Sequence, residues 1–350
     1  MRILQVNTEK TWRGGERQTL YTLEGLASQG VDCQLMALKD SLMHQRAVAM
    51  GIGVIAVESM VDALKKLSSL QGKFDVIHAQ TGKAHTQCIL TKIFHRIPVI
   101  YTRRVNYVPN GFLTKLKYKY TDRVVSISSA ISKTLEFSEM SQDSPVIYSA
   151  IKHLSLDIDR GAQLKKQLKI DKNIKIIGVV SAIELEKDPN TTLKTISLLS
   201  NIRDDFVVLH FGSGSLSKKI LKNIKKLDLT GNYHLMGHVD NVEDFYSIMD
   251  VFLITSKEEG LGSSVLDAFN YEVSVVSTNA GGLNDLVKDR GFLCNIGDAE
   301  CLSQGLGLAL NPSKESIEHK ESAKEYCDNE MGVDLMTDKY LDLYRRLAHD

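Results

Sequence analysis

Residues 254–287 read ITSKEEGLGSSVLDAFNYEVSVVSTNAGGLNDLV. An apolar strand, Val251–Thr255, ends in a polar loop that carries Glu258 and Glu259. Gly260 and Gly262 flank Leu261, and without a Cβ at either position the backbone can approach a ligand closely. Ser263 and Ser264 open a helix expected over 263–270. The free N–H groups and partial positive charge of such a helix start suit a pyrophosphate. Glu259 is then an acceptor for hydroxyls at the loop mouth, and Asp267, eight residues on, points toward the same place. A further strand, Val273–Ser277, leads to Gly281-Gly282, a tight turn that shapes the site.

The same strand-then-helix order extends outward in both directions. In the second half, strands are expected at Ile174–Val180, Phe206–Phe211, His234–Met236 and Gly291–Cys294, with helices near 190–200, 215–226, 242–248 and 298–310. In the first half they are expected at Ile3–Val6, Cys33–Leu38, Val54–Val57, Asp75–His78, Val99–Thr102 and Arg123–Ile127. Helices fall between them at 15–29, 42–50, 61–70, 84–94, 112–120 and 130–137. Strands separated by helices imply parallel sheets covered on both faces. The fold class is therefore α/β, with two Rossmann-like doubly wound domains whose sheets face a central cleft. The expected boundaries are 1–155, 156–330 and a terminal helix at 331–350 that packs back on the first domain.

Composition bounds the function classes. The chain has 350 residues, enough for two cores, and its 43 Lys+Arg balance 43 Asp+Glu, so global charge gives no sign of nucleic acid. Five cysteines are scattered without a C-x-x-C pair, so neither a zinc site nor a disulfide framework is expected, and a reducing cytoplasm fits. The opening MRILQVNTEK lacks the apolar core of a signal peptide. Apolar runs are far shorter than the ~18 residues a membrane span requires.

The run Glu259-Gly-Leu-Gly-Ser-Ser-Val-Leu-Asp-Ala268 resembles the E-x7-E motif of retaining glycosyltransferases with the GT-B fold, specifically glycosyltransferase family 4. Seven further matches follow in the expected order: Gly14-Gly15, Asp75-Val-Ile-His78, Val125-Ser-Ile-Ser-Ser-Ala130, Glu186-Lys187, Gly237-His-Val-Asp-Asn-Val242, Ala280-Gly-Gly-Leu-Asn-Asp285 and Gly291-Phe-Leu293. The resemblance implies that Glu259 touches the donor sugar and Asp267 the nucleotide ribose, with one methylene less reach than Glu. It implies that Lys187 neutralises the donor diphosphate and that Gly14 and Gly15 approach the phosphates from the other domain. Backbone from Met236 to Val239, Gly237 included, would contact the base, which by family habit is uracil.

Two departures stand out. Ala182 sits where the family carries an Arg five residues before the lysine, so positive charge at the diphosphate falls to Arg104, Arg103 or Arg13. Arg104 also stands where the family has a histidine. It cannot act as a base because guanidinium stays protonated, but it can stabilise phosphate charge. The implied reaction retains the anomeric configuration and needs neither metal nor separate cofactor. Its donor is a nucleotide-sugar and its acceptor a glycan or lipid-linked molecule, in bacterial surface polysaccharide or lipopolysaccharide synthesis.

His78 closes a strand at a carboxyl end, where a site or auxiliary histidine is expected. Over 103–123 six basic residues face one acid among Phe112, Leu113, Leu116, Tyr118 and Tyr120, a pattern for an anionic membrane surface or for an ordinary wet helix face. The location expected is cytoplasmic, with peripheral contact on the inner face of the membrane. Gly212-Ser-Gly214-Ser-Leu-Ser217 is a near miss to a dinucleotide fingerprint and reads as a turn into a helix. Two alternative functions remain open at this level: a nucleotide-sugar-binding subunit with little turnover, and a sugar-nucleotide epimerase of the same architecture.

Overall fold

The computed structural model describes residues 1–140, 144–311 and 313–349. The chain forms two compact units, Met1–Ala150 with Met331–Asp350, and Ile151–Glu330.

Unit 1 holds a six-stranded sheet: β1 (Arg2–Asn7), β2 (Asp32–Leu38), β3 (Gly53–Val57), β4 (Val76–Ala79), β5 (Val99–Arg103) and β6 (Arg123–Ser126). The order is β3-β2-β1-β4-β5-β6, every neighbouring pair parallel. Sequence order reverses direction between β1 and β4, which is the topological switch point. Strands such as β4 and β5 are buried along their whole length, because helices cover both faces of the sheet. Those helices are α1 (Gly14–Ser28), α2 (Leu42–Ala49), α3 (Met60–Ser68), α4 (Gly82–His95), α5 (Phe112–Lys119) and α6 (Ser129–Phe137). Ser41, Ser59, Thr81 and Ser128 each cap a helix start by accepting from a backbone N–H.

Unit 2 begins with α7 (Ile158–Gln167) and repeats the plan with β7 (Lys175–Val180), α8 (Pro189–Ser200), β8 (Phe206–Phe211), α9 (Ser217–Lys226), β9 (Tyr233–Gly237), β10 (Val251–Ile254), α10 (Ser263–Asn270) and β11 (Ser274–Thr278). It continues with α11 (Leu283–Val287), β12 (Phe292–Cys294), α12 (Ala299–Leu310) and α13 (Lys314–Glu330). Its parallel order is β12-β11-β10-β7-β8-β9. Ile177, Leu193, Ile196, Val208, Leu253 and Leu302 lie in its core.

The last helix, α14 (Val333–His349), belongs to unit 1. Tyr340, Leu341 and Tyr344 join the core formed by Ile3, Leu23, Leu26 and Ile100. The approach to α1 is so close that a Cβ on Gly25 would come within 1.9 Å of Thr337 Oγ1.

Three details depart from the sequence reading. The polar stretch 152–172 contains α7, because Leu164 is its one large buried apolar side chain and the pattern is faint. Gly161 packs α7 against Ile248, with Arg160 Nη1 2.5 Å from Asp244 Oδ2. The helix expected over 242–248 is a 3₁₀ turn. Cys294 and Cys301 form a disulfide where none was expected: the end of β12 and the first turn of α12 bring their Cα atoms to 5.8 Å, within bridging distance.

Candidate functional site

In unit 2 the decisive loop is tied down before any functional group is placed. Thr255, just past β10, donates through Oγ1 toward the carbonyls of Lys187 and Asp188, each at 3.2 Å. The carbonyl of Glu186 accepts from the N–H groups of Lys257 (2.8 Å) and Glu258 (3.2 Å). Thr278 Oγ1 on β11 donates to the carbonyl of Ser256 at 2.7 Å. Asp188, buried and with φ at 44°, caps α8 and takes Lys257 Nζ at 3.1 Å. The 3₁₀ turn Leu185–Lys187 and the loop after β10 are thus bound edge to edge, although they lie far apart in sequence.

That scaffold brings Lys187 Nζ to 2.5 Å from Glu259 Oε2, and Ser256 Oγ donates to the same oxygen at 3.1 Å. The two side chains are 22% and 15% exposed, so the pair is largely desolvated while keeping some access to solvent. Its electrostatic influence on a bound group is larger there than on an open surface.

Beside the pair, Gly262 takes φ at +103° and stands at the cap of α10, a position that brings no side chain of its own to the first-turn N–H groups. A Cβ there would be strained and would press on Leu283 at 2.6 Å. Gly282 is held still closer: a Cβ would lie 2.3 Å from the Gly260 carbonyl oxygen. Gly281-Gly282 therefore supports the loop from beneath. Leu261 is buried, so only its backbone is offered to the site, while Ser263 and Ser264 are half-buried. Asp267, 4% exposed, lies on the buried face of α10.

At the end of β9, Gly237 has φ at +73° and its carbonyl accepts from Gly212 N at 2.7 Å. Met236 to Val239 are partly exposed. The near-miss glycines have a packing reason. A Cβ on Gly212 or Gly214 would meet the carbonyl oxygens of Ser181 or Ile183 at 1.9 and 2.4 Å, so this turn hugs the segment that contains Ala182.

In unit 1, Gly14 and Gly15 open α1, with Arg13 exposed at the cap. Arg13 N donates to Glu16 Oε2 at 2.9 Å and Asn7 Nδ2 to Oε1 at 3.4 Å. Burial raises the Glu16 carboxyl above its usual range, opposed by these donors and by the Arg104 charge. Arg104 Nη2 donates to Gln80 Oε1 at 2.7 Å and Nη1 to Ser149 Oγ at 3.4 Å. Its Cδ is 3.4 Å from where a Cβ on Gly15 would stand. The glycine loop and Arg104, ninety residues apart in sequence, are one cluster.

Two candidates lie elsewhere than expected. His78 is completely buried, its Nδ1 2.6 Å from Tyr344 Oη and its Nε2 2.7 Å from Thr102 Oγ1. Burial and the Arg104 charge push its pKa down to about 3, so it is a neutral link between β5 and α14. Arg103 is 2% exposed, with Nη1 2.5 Å from Tyr118 Oη and Nη2 on the Tyr107 carbonyl. It thus adds nothing to a basic surface over 103–123, where Lys115, Lys119 and Arg123 remain exposed. A guanidinium stacked among tyrosines looks in sequence like any other member of a basic run. The braces Ser256, Asp188 and Lys257 were equally invisible, since only the register of β10 against β7 aligns them.

Residues 162–326 match the family described as glycosyl transferases group 1. The chain is 23% identical over 289 residues to N-acetyl-alpha-D-glucosaminyl L-malate synthase of Bacillus anthracis, covering 79% of this chain and 76% of that protein. It is 24% identical over 266 residues to an alpha-1,4-N-acetyl-D-galactosaminyltransferase of Campylobacter jejuni that acts on a diphosphoundecaprenol-linked glycan, covering 73% and 71%. The fold matches Anabaena Alr3699/HepE, whose crystal structure is in complex with UDP and glucose, with a TM-score of 0.83 at 16% identity over 99% of this chain and 100% of that one. A glycosyltransferase from Rickettsia africae matches with a TM-score of 0.84 at 20% identity, covering 99% and 98%. With its paired six-stranded parallel sheets, the chain is a glycosyltransferase of GT-B architecture that carries a glycosyl transferases group 1 region at residues 162–326.

Proposed function

We propose that the enzyme moves a sugar from a UDP-sugar to a glycan or lipid-linked acceptor with retention of anomeric configuration and without a metal, in the manner of glycosyltransferase family 4. The observation that carries this reading is the Lys187–Glu259 pair beside the uncapped start of α10. Cleaving the sugar–phosphate bond puts negative charge on the leaving diphosphate. Lys187 and the first-turn N–H groups of Ser263 and Ser264 offset that charge, while Glu259 orients sugar hydroxyls. Asp267 is assigned to the ribose, Gly237 and its neighbours to the base, and Gly14, Gly15 and Arg104 to the phosphate side of unit 1.

Bacterial surface polysaccharide is the expected product class. Relatives named for capsular polysaccharide in Staphylococcus aureus and for transfer to diphosphoundecaprenol in Escherichia coli support it. A lipid-linked acceptor also fits unit 1, where Phe112 and Leu113 on α5 and, separately, Ile93 and Phe94 on α4 are exposed, with Lys115 and Lys119 exposed on α5. Apolar side chains among lysines suit the inner, anionic face of a membrane.

The test is a panel of UDP-, GDP-, ADP- and CMP-sugars, read first by melting temperature and then by nucleotide release with candidate acceptors. NMR of the product reports anomeric configuration. Selective stabilisation by a UDP-sugar, an α-product from an α-donor and activity unchanged by EDTA are expected. An inverted product would sink the mechanism; selectivity for another base would sink the donor assignment.

A further inference from the structure

We propose that a cavity of about 230 Å³ in unit 1 binds an anionic oxygen group, a phosphate or a carboxylate. On the glycosyl-transfer reading above, on which this part rests, that group is the charged end of the acceptor.

The cavity lies at the carboxyl ends of three neighbouring strands. Thr8 follows β1, Leu38 ends β2 and Val57 ends β3. Ser59, the cap of α3, and Lys83 and Gln87 of α4 complete the wall. The site therefore opens beside the β1–β4 switch point, where parallel sheets of this kind take ligands.

Its chemistry is donor-rich. Gln87 is completely buried; its Oε1 accepts from Thr8 Oγ1 at 3.0 Å, while its Nε2 is buried with no hydrogen-bond partner among the described residues. An amide NH₂ left unpaired away from water is costly, and a ligand oxygen in the cavity removes that cost. Lys83 Nζ spends one N–H on the Thr8 carbonyl at 3.2 Å and keeps two, and Lys10 adds a second ammonium at the wall. The acid present, Glu58, is matched by Lys39 at 3.3 Å. Two lysines and an unused amide donor outweigh one neutralised carboxylate, so the occupant supplies acceptors and negative charge. The volume falls below the ~300 Å³ at which pockets enclose drug-sized molecules, so the site grips a charged group and leaves the rest of its bearer outside.

The experiment uses the full chain and reads the saturable part of the rise in melting temperature, since ion exclusion raises every variant alike and without saturation. Inorganic phosphate is the probe, with malonate in parallel and UDP titrated separately. In Lys187→Ala, which removes the cation of the donor loop, the phosphate response should persist. In the Lys10→Met/Lys83→Met double variant, which alters two exposed side chains, half-saturation should move at least 10-fold higher while the UDP response stays as in the wild type. A phosphate response that disappears in Lys187→Ala, survives intact in the double variant or is absent from the wild type overturns the proposal. A stronger response to malonate assigns a carboxylate, and a stronger one to phosphate a phosphate. Failure of the donor reading shows separately, as a missing UDP response.

Discussion

Lys187 and Glu259 are separated by 72 residues in sequence and by 2.5 Å in space. The contact exists because the loop after β10 donates two backbone N–H groups to the Glu186 carbonyl in the 3₁₀ turn after β7. Neither side chain reaches the other by local geometry.

Removing either partner tests the pair's role in transfer. Glu259→Ala should lower turnover by roughly 10²–10³-fold, the scale of losing one preorganised polar contact at a reacting centre. Lys187→Ala should weaken UDP binding about tenfold or more. The pair is largely buried, so removing one partner leaves the other charge uncompensated, and both variants should also melt below the wild type; kinetics and binding are therefore read well below each variant's own melting temperature. Steady-state kinetics with calorimetric UDP binding checks this, and full activity in both variants would remove the loop from the mechanism.

Gly282→Ala separates support from contact. Its φ of −68° is open to any residue, so backbone strain plays no part. The new methyl would lie 2.3 Å from the Gly260 oxygen and 2.6 Å from Leu261 Cα, both backbone atoms that cannot rotate away. The loop must shift, at a cost of about 1–3 kcal/mol. Urea denaturation should show that loss together with weakened donor binding.

Tyr344→Phe deletes one hydroxyl that serves both His78 Nδ1 at 2.6 Å and Gln5 Nε2 at 2.9 Å. Both partners are completely buried and would lose a hydrogen bond, so unit 1 should lose about 1–3 kcal/mol. Removing 331–350 also exposes the core around Ile3 and Leu26 and should unfold unit 1. Circular dichroism of the truncated chain is the measurement.

Acid should destabilise the protein through its buried histidines. Burial holds His78 at about 3 and His210 at about 4, and His85 well below its ordinary value. Each is neutral when folded but takes a proton at about pH 6.5 when unfolded. The unfolded chain therefore binds more protons between pH 6.5 and 4, and stability present above that window is lost as pH falls through it. Each histidine contributes a slope of about 1.4 kcal/mol per pH unit. Melting curves at pH 7.0, 6.0 and 5.0 should show the decline, and a flat profile would contradict the burial of these rings.

Much of this was legible in the sequence because parallel strands covered on both faces must be nearly continuous apolar runs. Val251–Ile254 and Phe206–Phe211 announce themselves in that way, and Gly262 before two serines marks a helix that begins without a capping side chain. The faint helix Ile158–Gln167 did not, since one leucine seats it. Periodicity reports local burial, and it is silent on which distant segments share a hydrogen bond.

Tertiary structure alone decided the fate of individual polar side chains. His78 and Arg103 sit at strand ends in sequence, but α14 and the tyrosines at 107 and 118 close over them. Cys294 meets Cys301 only because the end of β12 and the start of α12 converge, and Gln87 keeps a spare donor where α4 lies beside Thr8. A sequence encodes which residues avoid water, whereas the partner each polar atom finds depends on the packing of elements far apart along the chain.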